Sequence, residues 1–260
     1  MKIATWNVNS INMRKSQLIT WLKQNKPEVL LLQEIKCEDK NFPKEEVEEL
    51  GYNLAIHGQK GFNGVAILSL FPIDEFIIKL PGNPLPEQAR YIEAVISIPQ
   101  TAIRVASVYV PNGEDLDSPK FKHKLEFLDA LKEHCENLLR LEEKIIIGGD
   151  FNIAPEEIDS YNADATQDSI LCHLSVRKKF RSLINLGFYN AFRVTNPKDQ
   201  EFSWWDYRRG AWQRNRGMLI DHILLSPEAV DILKTTEIHD KMRGLEKPSD
   251  HVPVVCEFLL

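Results

Sequence analysis

Acidic and amide side chains directly follow apolar, β-branched segments at several places in this sequence. In residues 144–152, three isoleucines are followed by two glycines and then by Asp150 and Asn152. A carboxylate beside a buried strand is costly unless it is hydrogen-bonded or used in chemistry. The glycines allow a sharp bend or a close approach to another backbone. Taken alone, Asp150 could simply cap a turn, so this segment gains meaning only because the arrangement recurs.

The same arrangement occurs at the ends of other apolar segments. The polar residues there are Asn7, Glu34, Tyr109, Asp250 and His251, and Asp221 lies inside one further apolar segment. In layered α/β proteins, functional groups collect at strand ends. We therefore expect these side chains to line one shared cleft.

The residue types in this set favour metal-assisted phosphoester hydrolysis. Carboxylate oxygens without sulfur ligands suit Mg²⁺ or Mn²⁺. A divalent ion held by few protein groups stabilises the charge that develops on a phosphoryl group and its leaving oxygen. A carboxylate such as Asp150, or the imidazole of His251, can orient or deprotonate the attacking water. Asn7, Asn152 and Tyr109 can donate hydrogen bonds to phosphoryl oxygens.

Two other hydrolytic motifs do not occur in the sequence. There is no GxSxG segment, and the glycine-rich residues 58–64 lack the GK[ST] ending of a phosphate-binding loop. For single members of the set, structural alternatives stay open. Glu34 could end a salt-bridged strand, Tyr109 could be a packing residue, and Asp221 could be a buried structural carboxylate.

Composition and length predict one globular domain spanning residues 1–260. The chain is 43% hydrophobic and 27% charged, and no linker or repeat divides it. No apolar run approaches the ~20 residues of a membrane span, and residues 1–11 lack the apolar core of a signal peptide. Four widely spaced cysteines form no CxxC pair, which disfavours structural zinc and favours reduced thiols. We expect a cytoplasmic monomer.

The net charge of −6, taken alone, argues against a nucleic-acid partner. Basic residues are nevertheless clustered at positions 177–181 and at positions 208–216 around Trp212. Local patches rather than totals meet phosphates, so these clusters indicate a nucleic-acid surface. A solvated protein surface is the alternative explanation for both.

Apolar periodicity predicts a chain in which strands outnumber helices. The predicted strands cover residues 2–6, 29–32, 52–56, 65–68, 75–80, 91–98, 104–108, 144–147, 219–225 and 252–258, with a meander between 52 and 98. The predicted helices cover residues 10–24, 42–50, 118–141 and 169–186, with a short one from Ser226 and with Ser10 as an N-cap. This order predicts an α/β fold in which two sheets pack face to face with helices outside.

With these residues in place, the chain resembles the exonuclease III family of abasic-site endonucleases, within the endonuclease/exonuclease/phosphatase superfamily. The matching motifs are KIATWNVN (2–9), LLQEIK (31–36), NGVAIL (63–68), QARYIEA (88–94), VYVPNG (108–113), GGDFNIAP (148–155), FSWWDY (202–207), IDHILLS (220–226) and SDHVPV (249–254). WN, QE, GD-N and SDH are shared across the superfamily. QARYIEA and FSWWDY are more particular to the DNA-repair branch.

The resemblance implies a four-layer α/β sandwich, with two mixed β-sheets packed face to face and helices on the outside. It also implies a metal site for Mg²⁺ or Mn²⁺. Glu34 would be the main metal ligand, and Asn7 and Asp250 would lie close to the metal.

The resemblance implies catalytic roles for five residues. Asp150 would orient or deprotonate the attacking water, and Asn152 and Tyr109 would contact the phosphate. His251 would also face the phosphate, held by Asp221. A carboxylate bonded to one ring nitrogen fixes the tautomer and raises the basicity of an imidazole, which fits that pairing.

The resemblance also implies a DNA-binding surface. Trp204 matches the aromatic residue that shapes a pocket for a flipped-out abasic sugar, and Met218 and Ile220 match its apolar wall. Such a pocket selects a missing base by size. Arg208 lies where the family inserts a side chain into the duplex, and Asn112 would lie near the DNA strand.

At a few positions the sequence departs from the family pattern. Leu219 stands where an arginine is common, Asn190 where an aspartate is common, and Leu70 where a basic residue is common. None of these belongs to the proposed catalytic set, so we expect activity to survive. For Trp205, core packing is the alternative to a role in the pocket.

The function implied is Mg²⁺-dependent hydrolysis of the phosphodiester 5′ to an abasic site, with 3′→5′ exonuclease and 3′-end-cleaning activity. The partner would be double-stranded DNA with abasic sites or with blocked or recessed 3′ ends. One alternative is a phosphodiesterase of the same superfamily that acts on an inositol phosphate or a sphingolipid. Another is a DNA-binding protein that has lost catalysis. The arginines and tryptophans of residues 204–216 argue against the first, and the retained carboxylates argue against the second.

Overall fold

The computed structural model describes residues 1–99 and 101–259. In that part of the chain the strands are β1 (Lys2–Asn7), β2 (Val29–Gln33), β3 (Asn53–His57), β4 (Val65–Ser69), β5 (Ile73–Ile77), β6 (Tyr91–Ile98), β7 (Thr101–Tyr109), β8 (Ile145–Asp150), β9 (Tyr189–Asn190), β10 (Asp221–Leu225), β11 (Leu233–Ile238) and β12 (Val254–Phe258). The α-helices there are α1 (Ile11–Asn25), α2 (Lys44–Glu48), α3 (Pro119–Leu139), α4 (Ala163–Thr166), α5 (Leu174–Ile184), α6 (Ala191–Thr195) and α7 (Pro227–Val230). Among these described residues, no helix is long and apolar enough to cross a membrane.

The strands form two mixed six-stranded sheets, in the orders β11-β12-β1-β2-β4-β3 and β5-β6-β7-β8-β10-β9. In each sheet a central pair runs parallel, β1 with β2 and β7 with β8. Ile3 and Leu31 of the first sheet meet Ile146 of the second in an inner core. Each such buried side chain contributes roughly 1.5–3 kcal/mol, so this core holds the sheets against each other.

Helices cover the outer faces of both sheets. On the first sheet, Trp6 packs with Leu18 of α1. On the second, Ile147 packs with Phe127 of α3 and Phe180 of α5. Because the central strands are covered on both faces, their sequences are continuous apolar runs rather than alternating ones. The predicted four-layer α/β sandwich is therefore confirmed.

Some predicted boundaries and connections were wrong. The predicted meander between residues 52 and 98 is split, since β3 and β4 join the first sheet and β5 and β6 the second. Hydrophobic periodicity reports which residues are buried and not which sheet a strand joins. Helix α5 begins at Leu174 after the N-cap His173, and not at residue 169. Ser10 occupies the N-cap of α1 with a φ of 87° and makes no side-chain capping bond.

The two glycines of β8 extend the strand and do not bend it. A Cβ atom on Gly149 would lie 1.9 Å from the carbonyl oxygen of Val108, so only glycine fits so close to β7. Of the two roles predicted for this pair, the close approach is the observed one. The resulting register places Asp150 opposite Tyr109 of β7 on one side and opposite Asp221 of β10 on the other.

Candidate active site

Polar residues from both sheets meet at one edge of the sandwich. Asn7 ends β1 and Glu34 follows β2 in the first sheet, whereas Tyr109 ends β7 and Asp150 ends β8 in the second. Asp221 begins β10, which runs antiparallel to β8. Since the carboxyl ends of parallel strands lie at the same edge, the two sheets present these groups to a common cleft.

The side-chain amide of Asn7 links the two sheets. Its Nδ2 donates a hydrogen bond to Glu34 Oε1 at 2.9 Å and another to Asp150 Oδ2 at 2.9 Å. Its oxygen accepts a hydrogen bond from the backbone N–H of Asn9 at 3.0 Å. Asn7 is fully buried. Its amide therefore sets the separation between two carboxylates that come from different sheets.

Glu34, Asp150 and His251 form the candidate metal site. One ligand atom from each lies within 4.8 Å of the others. The carboxylate oxygens of Glu34 and Asp150 suit a hard divalent cation, whereas the imidazole of His251 could bind one only in its neutral form. Burial opposes ionisation of Glu34, but Lys36, with its Nζ 2.7 Å from Glu34 Oε2, and the Asn7 amide outweigh it, and the pKa of Glu34 lies below its usual value.

The carboxylate of Asp150 lies at the centre of the cluster. Burial raises the pKa of Asp150 to about 7, against the opposing charge of His251 and with help from the negative charges of Asp221 and Glu34. A divalent cation in the cluster favours the ionised form. Burial and the neighbouring carboxylates thus raise the pKa of Asp150, and a bound cation would lower it again.

His251 is held by a carboxylate and faces the cluster. Its Nδ1 lies 2.8 Å from Asp221 Oδ2, and its Nε2 lies 3.7 Å from Asp150 Oδ2. Asp221 Oδ2 also accepts a hydrogen bond from Ser203 Oγ at 2.6 Å. Burial alone would lower the pKa of His251, but Asp221 and Asp150 raise it to about 10. The two carboxylates therefore favour the protonated imidazole, which can donate a hydrogen bond.

Asn152 and Tyr109 lie on either side of Asp150. The backbone N–H of Asn152 donates to Asp150 Oδ1 at 2.8 Å, and the left-handed φ of 51° at Asn152 is one that asparagine tolerates. Asn152 Oδ1 accepts a hydrogen bond from Asn112 Nδ2 at 3.0 Å. The guanidinium of Arg90 lies 4.6 Å from the ring centroid of Tyr109. Burial and the nearby carboxylates raise the pKa of the Tyr109 hydroxyl, which therefore remains a donor.

Asp250 lies beside the three-residue metal cluster and is not one of its members. Its Oδ1 accepts a hydrogen bond from Asn9 Nδ2 at 2.8 Å, and its Oδ2 accepts one from Trp204 Nε1 at 3.0 Å. Burial alone would raise the pKa of Asp250, but the charge of His251 and these bonds lower it. The ionised carboxylate of Asp250 thus orients the indole of Trp204.

Trp204, Met218 and Ile220 lie together beside His251. Met218 and Ile220 belong to a buried apolar group with Leu171, against which Trp204 packs. Trp204 and Met218 pair through their backbones. The ring centroids of Trp204 and His251 are 6.5 Å apart. The three residues expected to form one pocket wall are therefore adjacent to the candidate phosphate-binding imidazole.

Arg208 and Trp205 have different environments. The side chain of Arg208 is 84% exposed, and its Nη2 lies 2.7 Å from Asp206 Oδ2. Trp205 is buried and packs edge-on against Trp212, with ring centroids 4.8 Å apart. Trp205 is therefore a core-packing residue, which was the alternative to a role in the pocket.

Three residues of the site were not predicted from the sequence. Asn9 and Lys36 bond the carboxylates of the cleft and each other, with Lys36 Nζ donating to Asn9 Oδ1 at 2.5 Å. Arg90 lines a cavity of about 590 Å³ with Tyr109 and Asn112. All three lie within the motifs quoted above, so the signal was present. The spacing of these polar residues alone did not separate them from surface residues.

The fold and this site define a class of proteins, the metal-assisted phosphoesterases built on two packed sheets. The chain belongs to the Endonuclease/Exonuclease/phosphatase family, whose model matches residues 4–251. This family is metal-dependent, and the cluster of Glu34, Asp150 and His251 is where the structure offers a metal site.

Individual relatives and solved structures are similar over the full chain. An exodeoxyribonuclease III of Haemophilus influenzae is 34% identical over 99% of this chain and 100% of the relative. An exodeoxyribonuclease of Bacillus subtilis is 29% identical over 98% of each chain. The structure of a 3′-5′ exonuclease from Neisseria meningitidis has a TM-score of 0.95 at 40% identity, and that of an AP endonuclease from Archaeoglobus fulgidus has 0.95 at 36%, each covering 100% of both chains.

Proposed function

We propose that this protein is a DNA-repair phosphodiesterase that uses Mg²⁺ to hydrolyse the phosphodiester 5′ to an abasic site. It also trims and cleans 3′ ends. The observation that carries the proposal is the position of the apolar Trp204 wall directly beside the cluster of Glu34, Asp150 and His251. The exonuclease and AP endonuclease relatives support DNA as the substrate.

Mg²⁺ is the preferred ion because its ligands here are hard oxygens and few in number, which leaves room for water and phosphate. Glu34 holds the ion, with Asn7 and Asp250 close by. When bound, the ion supplies positive charge to the phosphoryl and leaving oxygens. Mn²⁺ fits the same donors and is the substitute ion in this proposal.

Asp150 orients and deprotonates the attacking water. Its two oxygens already accept hydrogen bonds from Asn7 and Asn152, which fix the direction of the carboxylate. Burial and the neighbouring carboxylates of Asp221 and Glu34 raise its pKa, which makes it a stronger base than an ordinary aspartate. His251 has a pKa raised to about 10, so it keeps its proton and donates to a phosphoryl oxygen. Proton acceptance therefore falls to Asp150 rather than to His251.

Tyr109 and Asn152 contact the phosphate, and Asn112 lies near the DNA strand. Arg208 is exposed at the rim and free to turn from Asp206 into the duplex.

We propose that residues 1–260 act as one catalytic domain, because β1 and β12 from opposite ends of the chain pair with each other. The protein acts as a monomer in the cytoplasm, where its four buried free cysteines stay reduced.

A direct assay tests the function. A labelled duplex with a single abasic analogue, incubated with the protein and Mg²⁺, should be cut once, on the 5′ side of the lesion. A chelator should abolish the cut, because the charge that the ion supplies is then missing. An undamaged duplex with a recessed 3′ end, assayed in parallel, should be shortened from that end. If neither duplex is cut with Mg²⁺ or Mn²⁺, the proposal is wrong and one of the alternative functions holds.

The Trp204→Ala variant tests the pocket. We expect it to slow abasic-site cleavage roughly 10-fold more than the release of a normal 3′ nucleotide, because loss of an apolar contact with the sugar costs ~1.5–3 kcal/mol. Rates on the two duplexes, measured under the same conditions, give the ratio. Trp212→Ala is the matched control, since Trp212 packs on Trp205 outside the pocket. Equal losses on both substrates for Trp204→Ala would remove this residue from substrate selection.

A further inference from the structure

Lys124 on α3 is a fully buried lysine that bonds only to the backbone. Its Nζ donates hydrogen bonds to the carbonyl oxygens of Asn112 at 3.0 Å, Asn152 at 2.7 Å and Ile170 at 2.8 Å. An ammonium group has three N–H donors, so every one is used. Among the residues that the structure describes, no carboxylate forms an ion pair with Lys124. A lysine is rarely fully buried in this way.

The three carbonyl groups belong to three separate segments of the chain. Asn112 lies in the loop after β7, Asn152 lies just after β8, and Ile170 lies in the segment before α5. The ammonium is therefore the point at which the loops on this side of the cleft meet. Burial lowers the pKa of Lys124 to about 7, with the charge of Asp150 opposing the fall. A buried charge at this position costs free energy. An apolar side chain could fill the same space without that cost, so space filling does not explain the lysine.

The contacts of Lys124 lead directly to the cleft. Asn112 and Asn152 bond each other through their side chains at 3.0 Å, and both carbonyls bond the same ammonium. The two amides and the ammonium thus close a ring. The side chain of Asn152 is held as well, because its Nδ2 donates to the carbonyl oxygen of Val110 at 3.0 Å. Gly113 leaves room for this arrangement, since a Cβ there would lie 3.3 Å from Lys124 Cδ.

We propose that Lys124 is a positioning residue for phosphodiester cleavage, and that it acts by holding Asn112 and Asn152 in the orientation that contacts the substrate phosphates. The inference rests on the proposed function, in which Asn152 contacts the phosphate and Asn112 lies near the DNA strand. Lys124 itself does not touch the substrate. Its ammonium lies behind the two asparagines, on the side of the loops that faces α3.

A double-mutant cycle between Lys124→Met and Asn152→Ala tests this role. Single-turnover cleavage of the abasic duplex is measured with saturating protein and Mg²⁺ for the wild type, both single variants and the double variant. Lys124→Met should lower the rate roughly 10-fold in the wild-type background, since small displacements of positioned groups are costly. In the Asn152→Ala background the loss should shrink to about 2-fold, because the group that Lys124 positions is gone.

Leu131→Ala is the matched control. Leu131 is also fully buried on α3, but it packs in the helix-covered core. Its effect should be the same factor in both backgrounds. Equal factors for Lys124→Met in both backgrounds would overturn the proposal, because that is the result of a general loss of stability. If Lys124→Met does not fold, Lys124→Arg enters the same cycle, since it keeps the charge but spreads the donors over a wider fork. Absence of cleavage by the wild type would instead overturn the proposed function.

Discussion

Replacement of Asp150 by asparagine is expected to lower the rate of cleavage by roughly 10²–10⁴-fold while DNA binding is retained, as for loss of a general base. Asparagine has nearly the same shape and can still accept the hydrogen bond from the backbone of Asn152. What it cannot do is take a proton. Because one negative charge leaves a surface that meets phosphates, the Kd for DNA should stay the same or fall.

The same substitution should change how the stability of the protein depends on pH. Burial raises the folded-state pKa of Asp150 to about 7, from an ordinary value of 3.8. As the pH rises from about 4 to about 7, the unfolded chain loses this proton while the folded chain keeps it, so ionisation opposes folding over that interval. The amide of the variant does not ionise in this range. The difference in urea midpoint between Asp150→Asn and the wild type should therefore move in favour of the variant as the pH rises from 5 to 7.5.

Asp159→Asn is the control for this experiment. Asp159 is also a buried aspartate, but its carboxylate pairs with Arg193 and with no residue of the metal cluster. It should reduce stability and leave the rate per folded molecule nearly unchanged. A rate for Asp150→Asn within a few-fold of wild type, measured in single turnover with both variants folded, would show that another group takes the proton.

The sequence predicted the fold because the central strands are buried on both faces. The runs in β2 and β8 are continuously apolar, so their position in the chain was evident, and the order of strands and helices then indicated the layers. Edge strands carried less information. The sequence of β11, LKTTEI, alternates weakly because one of its faces is exposed, and the strand was not predicted. The sheet joined by each strand between residues 52 and 98 depends on contacts distant in sequence, which periodicity does not report.

Part of the candidate site could also be predicted from the sequence. Polar residues at the ends of apolar strands are conspicuous, and this property identified Asn7, Glu34 and Asp150 as partners of one cleft. Lys124 was not identified because it lies in a helical segment rich in lysines, where only the structure distinguishes the buried one from its exposed neighbours. A positioning contact made to backbone carbonyl groups has no counterpart in the sequence pattern.

The two sheets contribute different parts of the chemistry. In the proposed mechanism, the first sheet supplies Glu34 for the metal, and the second supplies Asp150 for the water. The bond from Asn7 to both carboxylates means that their separation depends on how the sheets pack. Packing of the inner core is therefore a condition for the geometry of the site. Core substitutions between the sheets act on catalysis through this distance as well as through stability.

Replacement of Asp221 by asparagine is the second large effect, with an expected loss of roughly 10²–10³ in cleavage rate, as for loss of a donor to a charged transition state. In the wild type, Asp221 Oδ2 lies 2.8 Å from His251 Nδ1 and is a main cause of the raised pKa of that imidazole. The substitution removes this negative charge. The pKa of His251 must then fall, and the new amide can turn an N–H toward the ring and favour the wrong tautomer.

This change has a distinct pH signature. In the wild type the pKa of His251 is raised to about 10, so the cation should persist throughout the neutral range and the rate should fall only at high pH. With the pKa lowered in Asp221→Asn, the donor is lost as the pH rises through a lower value, so the falling limb of the pH–rate profile should move toward neutrality. The rising limb, which belongs to Asp150, should remain.

Ser203→Ala is the matched control, because Ser203 bonds the same oxygen of Asp221 but carries no charge. It should lower the rate modestly and leave the falling limb near its wild-type position. Profiles of kcat/KM on the abasic duplex from pH 5 to pH 10 separate the two cases. An unchanged falling limb in Asp221→Asn would mean that the charge of His251 does not support cleavage. The imidazole would then act as a neutral group, and the assignment of His251 as a cationic phosphate contact would have to be abandoned.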